Sequence, residues 1–251
     1  MENLQDALLK SLETGFIDQK IISSHEYLPQ LLINDSNNGK KVLTTIDWEL
    51  KKCDEFWFSV AFVTTSGIAT LMNTLLELQE KGIQGKILVS QYLNFSQPEA
   101  LKKILRFENI ELRIAVEGNF HSKGYLFRSE TLNSLIIGSS NLTANALCLN
   151  KEWNLKISAT SESYIISNAL SEFTTEFENA VRVDEDFIAK YEVVYTKQLQ
   201  INRLNKKNFE ESIGVGFIPN SMQVEALANI DKIRTSGKNK ALLISATGTG
   251  K

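Results

Sequence analysis

The chain has 251 residues, of which 43% are hydrophobic, and a formal net charge of -3 at pH 7. This length fits one large domain, or one domain and part of another, with enough apolar residues for a buried core. No apolar run is long enough to span a membrane, and the acidic amphipathic start is unlike a secretory signal, so we predict a cytoplasmic protein without membrane contact. The slightly acidic total also means that any nucleic-acid contact must come from a local basic surface.

The first 120 residues alternate between helical and strand patterns. Apolar residues at helical spacing from Leu4 onward predict a short helix over 3–13, and the apolar run around Ile33 predicts a strand or extended arm. Beyond this arm, the same reasoning predicts helices over 42–50, 66–81 and 98–107 and buried strands over 55–63, 86–90 and 111–116. This order predicts a sheet with helices packed on its faces.

His25 and the two cysteines are interpreted as residues outside any catalytic or metal site, with His25 as a surface or structural histidine. His25 is followed by Glu26 and Tyr27 and has no lysine two places on. Cys53 and Cys148 lack the paired spacing of a zinc site, so both are predicted to be reduced packing residues. We therefore predict no metal site.

The segment from 121 to 152 carries the pattern that indicates phosphate chemistry. His121 and Lys123 lie two apart in an alternating run, and side chains two apart in a strand share a face. An imidazole can act as nucleophile or proton donor near neutral pH, while an ammonium balances the charge of a phosphodiester. A second strand, predicted over 132–138, ends in small residues at Gly138 and Ser139 that let backbone approach an anion, and Asn141 adds amide donors.

The segment that follows is predicted to return to the sheet and then become helical. A short helix is predicted over 142–147, and a strand over 152–158 carries Glu152 at its beginning. Long helical patterns follow over 161–181 and 184–212, the latter charged and with a basic patch.

This arrangement resembles the phospholipase D-like phosphodiesterase superfamily, whose half-site signature is H-x-K, four residues, Asp, then G-S-x-(x)-N. The resemblance implies an α/β fold, a phospholipase D-like mixed sheet flanked by helices, with His121 as nucleophile or acid and Lys123, Ser139 and Asn141 as phosphate ligands. The Asp position of the signature is Arg128 here. Nuclease members of the family often lack that Asp and use a Glu downstream of the Asn to orient the His, and Glu152 is placed to be that residue.

The C-terminal segment carries a second pattern. An apolar strand runs into a Thr-Gly-Thr-Gly-Lys sequence, the context that a phosphate-binding loop requires. With the upstream Gln after Pro219-Asn220, this stretch resembles superfamily 2 helicases of the DEAD/DEAH type. The resemblance implies an incomplete ATP-binding site made of Gln223, Thr247, Gly248, Thr249, Gly250 and Lys251.

The remaining parts of a helicase do not follow Lys251, so we interpret the chain as the N-terminal part of a longer protein. ATP and Mg²⁺ would serve only the full-length helicase, and no ATPase activity is expected from these 251 residues. The predicted organisation is an N-terminal helix and arm over 1–29, a phospholipase D-like domain over 30–185, a helical linker over 186–216, and the truncated start of a helicase RecA-like lobe over 217–251.

Together these patterns predict a metal-independent endonuclease that cleaves DNA through a phosphohistidine intermediate, as part of a helicase and nuclease fusion of the restriction or phage-defence type. The reaction needs two His-Lys halves, one to attack phosphorus and one to protonate the leaving oxygen. Only His121 is followed by the lysine, so a homodimer with a composite site across a twofold axis is predicted.

Three alternatives stay open from the sequence. The first is a catalytically degenerate module that serves dimerisation or nucleic-acid binding for the helicase, which Arg128 favours. The second is a lipid-directed phospholipase. The third is an α/β domain in which His121 and Lys123 are surface residues without a shared function.

Overall fold

The strands form one mixed sheet, and the predicted site residues lie in loops at one end of these strands. The computed structural model describes residues 3–90, 95–116, 121–213 and 221–237. Within these ranges, the sheet has eight strands: β1 (Gln30–Leu32), β2 (Glu55–Val60), β3 (Gln84–Ser90), β4 (Ile110–Ala115), β5 (Gly124–Arg128), β6 (Asn133–Gly138), β7 (Asn154–Ala159) and β8 (Val181–Arg182). Their order across the sheet is β1-β7-β6-β5-β2-β3-β4-β8.

The direction of the strands decides which loops meet. The central strands β2, β3 and β4 are parallel, and the remaining neighbours are antiparallel. The carboxyl ends of these three strands and of β6 therefore lie at the same edge as the starts of β5 and β7. Loops at the carboxyl ends of parallel strands are where α/β folds commonly place binding groups.

Helices cover both faces of this sheet. The described helices are α1 (Leu4–Phe16), α2 (Val42–Leu50), α3 (Thr65–Glu80), α4 (Pro98–Ile104), α5 (Ala144–Cys148), α6 (Tyr164–Asn179), α7 (Glu185–Ile213) and α8 (Ser221–Thr235). Several begin with a hydroxyl side chain that accepts from a first-turn N–H, as Thr64 does for α3, Thr143 for α5 and Ser163 for α6. Such caps satisfy amides that have no partner inside the helix, so they fix where each helix begins.

The alternation of apolar residues in β2 builds two separate cores. Phe56 and Phe58 are fully buried on the face that packs against α2 to α5 and the start of α7, while Trp57 points to the other face with Phe173 of α6, their rings 4.9 Å apart. Residues buried on both faces are expected for a central parallel strand. The predicted α/β class with a helix-flanked mixed sheet is confirmed.

The helices and strands predicted between residues 3 and 212 are found, with differences at some of their ends, while the apolar strand predicted before Thr247 lies outside the described residues. The strand predicted over 55–63 ends at Val60, because the Asn141 side chain captures the backbone N–H groups of Ala61 and Phe62. The helix predicted to reach residue 107 ends at Ile104. His121 and Lys123 were predicted within a strand and Glu152 at the start of one, but β5 begins at Gly124 and β7 at Asn154, so all three lie in the loops just before the strands.

The structure divides into two compact units, Met1–Gln198 and Leu199–Lys251. The sheet lies entirely in the first unit. In the second unit, Gln223 lies in α8 and is described by its backbone only, while Thr247, Gly248, Thr249, Gly250 and Lys251 lie outside the described residues. The four-part organisation and the ATP-binding residues thus stay predictions.

The other expectations from composition concern cysteines, metals and membranes. Both cysteines are free, and Cys53 is buried, as expected for a packing residue. In the part of the chain that the structure describes, no helix is long and apolar enough to cross a membrane. The described side chains also contain no group of three or more His, Cys, Asp and Glu residues that could hold a metal ion.

Candidate active site

The predicted site residues come together because the register of three antiparallel strands aligns their loops. Gly124 at the start of β5 pairs with Ile137 near the end of β6, and Gly138 pairs with Asn154 at the start of β7. The His-Lys segment before β5, the Ser-Asn segment after β6 and the Glu before β7 therefore share one edge of the sheet. This edge is the candidate active site.

His121 and Lys123 are in direct contact. The Lys123 Nζ lies 2.9 Å from the His121 Nδ1 and donates to the His121 carbonyl at 2.8 Å. Because an ammonium only donates, this contact assigns the Nδ1 as acceptor and the ring hydrogen to Nε2. In this arrangement the ring is neutral, and Nε2 can act as an acid toward a leaving oxygen only after Nδ1 has also bound a proton.

The electrostatics of Lys123 depend on two opposed effects. Partial burial lowers the pKa of the Lys123 ammonium, and the negative charge of Glu152 raises it in part. Burial disfavours a charged group, whereas an opposite charge nearby favours it. The Glu152 carboxylate therefore helps to keep Lys123 charged for a phosphate.

Glu152 is held against the predicted phosphate ligand Ser139. The Ser139 hydroxyl donates to the Glu152 Oε2 and accepts from the Trp153 backbone N–H at 3.1 Å. The Ser139 N–H donates to the Trp153 carbonyl, also at 3.1 Å. Glu152 is thus tied to the serine and acts on Lys123 through its charge, and its predicted orienting contact with His121 stays a prediction.

Two backbone N–H groups just after β2 fix the side chain of Asn141. Its Oδ1 accepts from the N–H groups of Ala61 and Phe62 at 3.1 and 3.2 Å. With the oxygen committed to these two donors, the Nδ2 hydrogens are the part of the amide that can serve an anion. The side chain is 8% exposed, so its orientation is set before any ligand arrives.

A buried network behind Ser139 was missed by the sequence analysis. Ser140 is buried, its N–H donates to the Asn154 Oδ1 at 3.2 Å, and its Oγ accepts from the Asn154 Nδ2 at 2.9 Å. Tyr125 is fully buried and donates to the Ser140 carbonyl at 2.9 Å, and burial strongly raises the pKa of its hydroxyl. The signal was the polar groups of Tyr125 in β5 and Asn154 at the start of β7, because polar groups that a sheet buries need partners.

Gly138 serves packing between strands. A Cβ at this position would lie 2.2 Å from the Trp153 carbonyl oxygen and 2.5 Å from the Asn154 Oδ1. The Gly138 N–H donates to the Lys123 carbonyl at 3.2 Å. The missing side chain therefore lets β6 and β7 approach each other, and the expected approach of backbone to an anion stays a prediction.

Arg128 lies at the opposite end of β5 from Lys123. Its Nη1 donates to the Glu55 Oε2 at 2.6 Å, and its guanidinium lies 5.0 Å from the Trp57 ring centre. At about 3.3 Å per strand residue, the position is about 16 Å from Lys123. The departure from the family signature therefore removes no group from the candidate site, and the support that Arg128 gave to a degenerate module is lost.

Comparisons with known proteins agree with this architecture. The family model described as "Cardiolipin synthase, PLD-like domain" matches residues 49–181. Nuc from Salmonella typhimurium, described as a phospholipase D family member, is similar with a TM-score of 0.50 and 16% identity over 62% of this chain and 99% of that one. Phosphatidylserine synthase from Haemophilus influenzae Rd KW20 is similar with a TM-score of 0.50 and 14% identity over 70% of this chain and 46% of that one.

A third similar structure is NucT from Helicobacter pylori, with a TM-score of 0.49 and 16% identity over 62% of this chain and 98% of that one. No curated protein matches the chain. At identities of 14% and 16%, the two structures with a TM-score of 0.50 establish the fold alone. The chemistry must be argued from the site itself.

Proposed function

Because this chain belongs to the phospholipase D-like domain family, we propose that it is a phosphodiesterase that cleaves DNA through a phosphohistidine intermediate without a metal ion. The observation that carries the proposal is the contact of Lys123 with His121, 2.9 Å from Nζ to Nδ1, at the edge that also holds Ser139 and Asn141. An imidazole beside an ammonium and hydroxyl and amide donors is the set of groups that phosphoryl transfer to histidine needs.

The reaction requires two copies of this histidine in different roles. The Nε2 of one His121 attacks phosphorus, forming the N–P bond as the P–O bond to the leaving oxygen breaks, and the second His121, as an imidazolium, donates its Nε2 proton to that oxygen. The second imidazole then takes a proton from water, which attacks phosphorus and releases the first histidine. Lys123, Ser139 and Asn141 offset the charge that develops on the phosphate oxygens.

The attacking histidine needs a lone pair on Nε2, and Lys123 provides a way to supply it. While the ammonium donates to Nδ1, the ring is neutral and its hydrogen lies on Nε2, so the ring can neither attack phosphorus nor act as an acid. When Lys123 turns to a bound phosphate, Nδ1 can carry the hydrogen and Nε2 can attack. The proton donor needs the same release of Nδ1, because an imidazolium carries a hydrogen on each nitrogen.

We propose that the second half-site comes from an identical subunit. The 251 residues contain two histidines, and His25 lies in the segment before β1, where Gln30 donates to its carbonyl at 3.0 Å. Next to the half-site, three apolar side chains are direct cross-strand neighbours on one face: Leu31 is 60% exposed, Leu155 36% and Ile137 41%. Trp153, 71% exposed, adjoins Glu152. This apolar surface supports docking of a second copy beside the site.

DNA is proposed as the substrate on the basis of the C-terminal pattern. Gln223 and the Thr247 to Lys251 segment resemble the start of a superfamily 2 helicase, an enzyme that moves along nucleic acid. A phosphodiesterase in the same chain is suited to cutting what such an enzyme moves along, as in restriction or phage-defence systems. In this proposal, residues 30–185 form the nuclease domain, 186–216 the linker and 217–251 the start of the helicase lobe.

The test is cleavage of plasmid DNA by the purified chain in EDTA. We expect cleavage to persist in EDTA, to fall by at least about a hundredfold in His121→Ala, and to be unchanged in the matched control His25→Ala. A histidine-linked, acid-labile phosphate trapped on the wild-type chain would identify the intermediate. Cleavage that needs Mg²⁺, or that survives in His121→Ala, contradicts the proposal, and DNA binding without any turnover assigns the chain to the non-catalytic alternative.

A further inference from the structure

A cavity of about 270 Å³ lies between the sheet and α6, directly beside the His121 and Lys123 pair that form part of its lining. Its walls are largely apolar, with Leu126 and Leu135 from the sheet and Phe173 from α6. Glu172 and Glu176, one helical turn apart on α6, add two carboxylates to this lining. The cavity thus combines apolar walls with carboxylates that can accept hydrogen bonds from the polar edge of a ligand.

Trp57, one of the lining residues, carries an unpaired hydrogen-bond donor. The residue lines the cavity and is 7% exposed, and its indole Nε1 is buried without a hydrogen-bond acceptor in the part of the molecule that is described. Buried polar groups are almost always paired, so an unpaired donor in the wall of a cavity is a group that a ligand acceptor can satisfy.

We propose that this cavity is a subsite for the nucleobase that neighbours the scissile phosphate, with a preference for bases that carry an exocyclic amino group. The inference rests on the proposed function, since the phosphate is placed at His121 and Lys123. Apolar and aromatic walls suit the flat face of a base. The carboxylates of Glu172 and Glu176 can accept from an amino group, and the Trp57 N–H can donate to a base carbonyl.

Cytosine and thymine provide the sharpest comparison, because both are single rings of similar size. Cytosine presents an amino group where thymine presents a carbonyl oxygen. A carbonyl oxygen facing two carboxylates is unfavourable, whereas an amino group is favourable. An acyl chain, the other occupant that an apolar cavity suits, would gain nothing from the carboxylates or from the indole N–H.

The experiment measures binding without catalysis. Fluorescently labelled single-stranded oligonucleotides, one of deoxycytidine and one of deoxythymidine, are titrated with the His121→Ala chain and followed by anisotropy. We expect the deoxycytidine oligonucleotide to bind about tenfold more tightly, the effect of one good base contact. The preference should disappear in a Glu172→Gln/Glu176→Gln variant and persist in Glu178→Gln, a matched control on the same helix that does not line the cavity.

A second variant tests the cavity itself. Ala169→Phe adds a ring at a half-buried position in the lining and should reduce the preference without removing a charge. Equal binding of the two oligonucleotides, or a preference that survives both cavity variants, overturns the proposal. It is also overturned if a short-chain phosphatidyl lipid occupies the cavity while the base preference is absent.

Failure of this inference and failure of the proposed function give different results. If the wild-type chain cleaves DNA but shows no base preference, only the subsite proposal is contradicted. If the chain binds with the expected preference but cleaves no phosphodiester, the subsite proposal stands and the nuclease proposal is contradicted.

Discussion

Burial and a neighbouring charge act in opposite directions on the pKa of Lys123. Burial lowers the pKa of its ammonium and the Glu152 carboxylate raises it in part. A phosphate ligand must be protonated, so activity is expected at pH values below the lowered pKa and should be lost as the pH rises through it. The alkaline limb of the rate profile therefore reports this lysine.

Glu152→Gln should move that limb to lower pH. The substitution keeps an oxygen that can accept from Ser139 but removes the negative charge that raises the Lys123 pKa. The measurement is kcat/KM for bis(p-nitrophenyl) phosphate across the alkaline range, with the exposed Glu130→Gln as control. A limb that stays in place or moves to higher pH would show that Lys123 is not the group that titrates.

The contacts of Arg128 indicate that this residue contributes to the stability of the fold and not to the reaction. Arg128→Asp restores the residue of the family signature but places a carboxylate directly opposite Glu55 in the antiparallel pair of β2 and β5. Loss of a partly exposed ion pair together with like-charge repulsion should lower the free energy of unfolding by about 1–2 kcal/mol. We expect the rate per folded molecule to be unchanged, as measured by urea unfolding and by turnover at low temperature.

The matched comparison is Arg128→Gln, which removes the ion pair without adding repulsion and should cost less stability. An increase in activity in Arg128→Asp would mean that the position acts on the site despite its distance. That result would favour the degenerate-module alternative for the natural chain.

At the level of single residues, the sequence predicted that His121 and Lys123 lie together, but it did not predict which residue binds Glu152. A spacing of two brings His121 and Lys123 into contact even though both residues precede β5. The partner of Glu152 could not be predicted, since it depends on how β6 and β7 align. Their register places Ser139 next to Glu152 and so ties the carboxylate to the serine.

Among elements, hydrophobic periodicity predicted the strands and helices, but their ends depend on tertiary contacts. The Asn141 side chain, which accepts from two backbone N–H groups after Val60, ends β2 from a distance of 80 residues along the chain. Local sequence contains no signal for such a contact. The same contact also orients the Asn141 amide, a candidate phosphate ligand. One interaction therefore both ends β2 and positions a residue of the candidate site.

Gly138→Ala should disturb the junction of β6 and β7. The added Cβ would meet the Trp153 carbonyl oxygen at 2.2 Å, and backbone atoms cannot rotate away as a side chain can. We expect a loss of stability of about 2–4 kcal/mol and of most activity, since the bonds between Ser139 and Trp153 span this junction. Urea unfolding and bis(p-nitrophenyl) phosphate turnover measure the two effects.

Gly124→Ala is the control for this change, in the neighbouring strand. A Cβ at Gly124 would meet only the Ile137 Cγ2, at 3.9 Å, which is ordinary contact. Its stability should change by less than about 0.5 kcal/mol. Equal effects of the two substitutions would mean that glycine content, and not the close approach at Gly138, controls the junction.

For the whole molecule, the sequence predicted the sheet and its helical layers but not the strand order. The order β1-β7-β6-β5-β2-β3-β4-β8 places β5, which follows β4 in the chain, on the other side of β2. Non-local pairing of this kind is invisible to a local pattern. This pairing also places the His-Lys segment next to the end of β2 and next to the Ser-Asn segment. The candidate half-site therefore depends on the strand order.

The mixing of active and inactive subunits tests whether two half-sites make one site. When wild-type and His121→Ala chains are mixed equally, unfolded and refolded together, about a quarter of the dimers should hold two His121 residues. Heterodimers hold one and cannot both attack phosphorus and protonate the leaving oxygen. Activity should therefore fall to about a quarter of that of an equal total amount of wild-type chain, whereas mixing with His25→Ala should leave it unchanged. An activity of about a half would mean that each subunit works alone, and the composite site would be excluded.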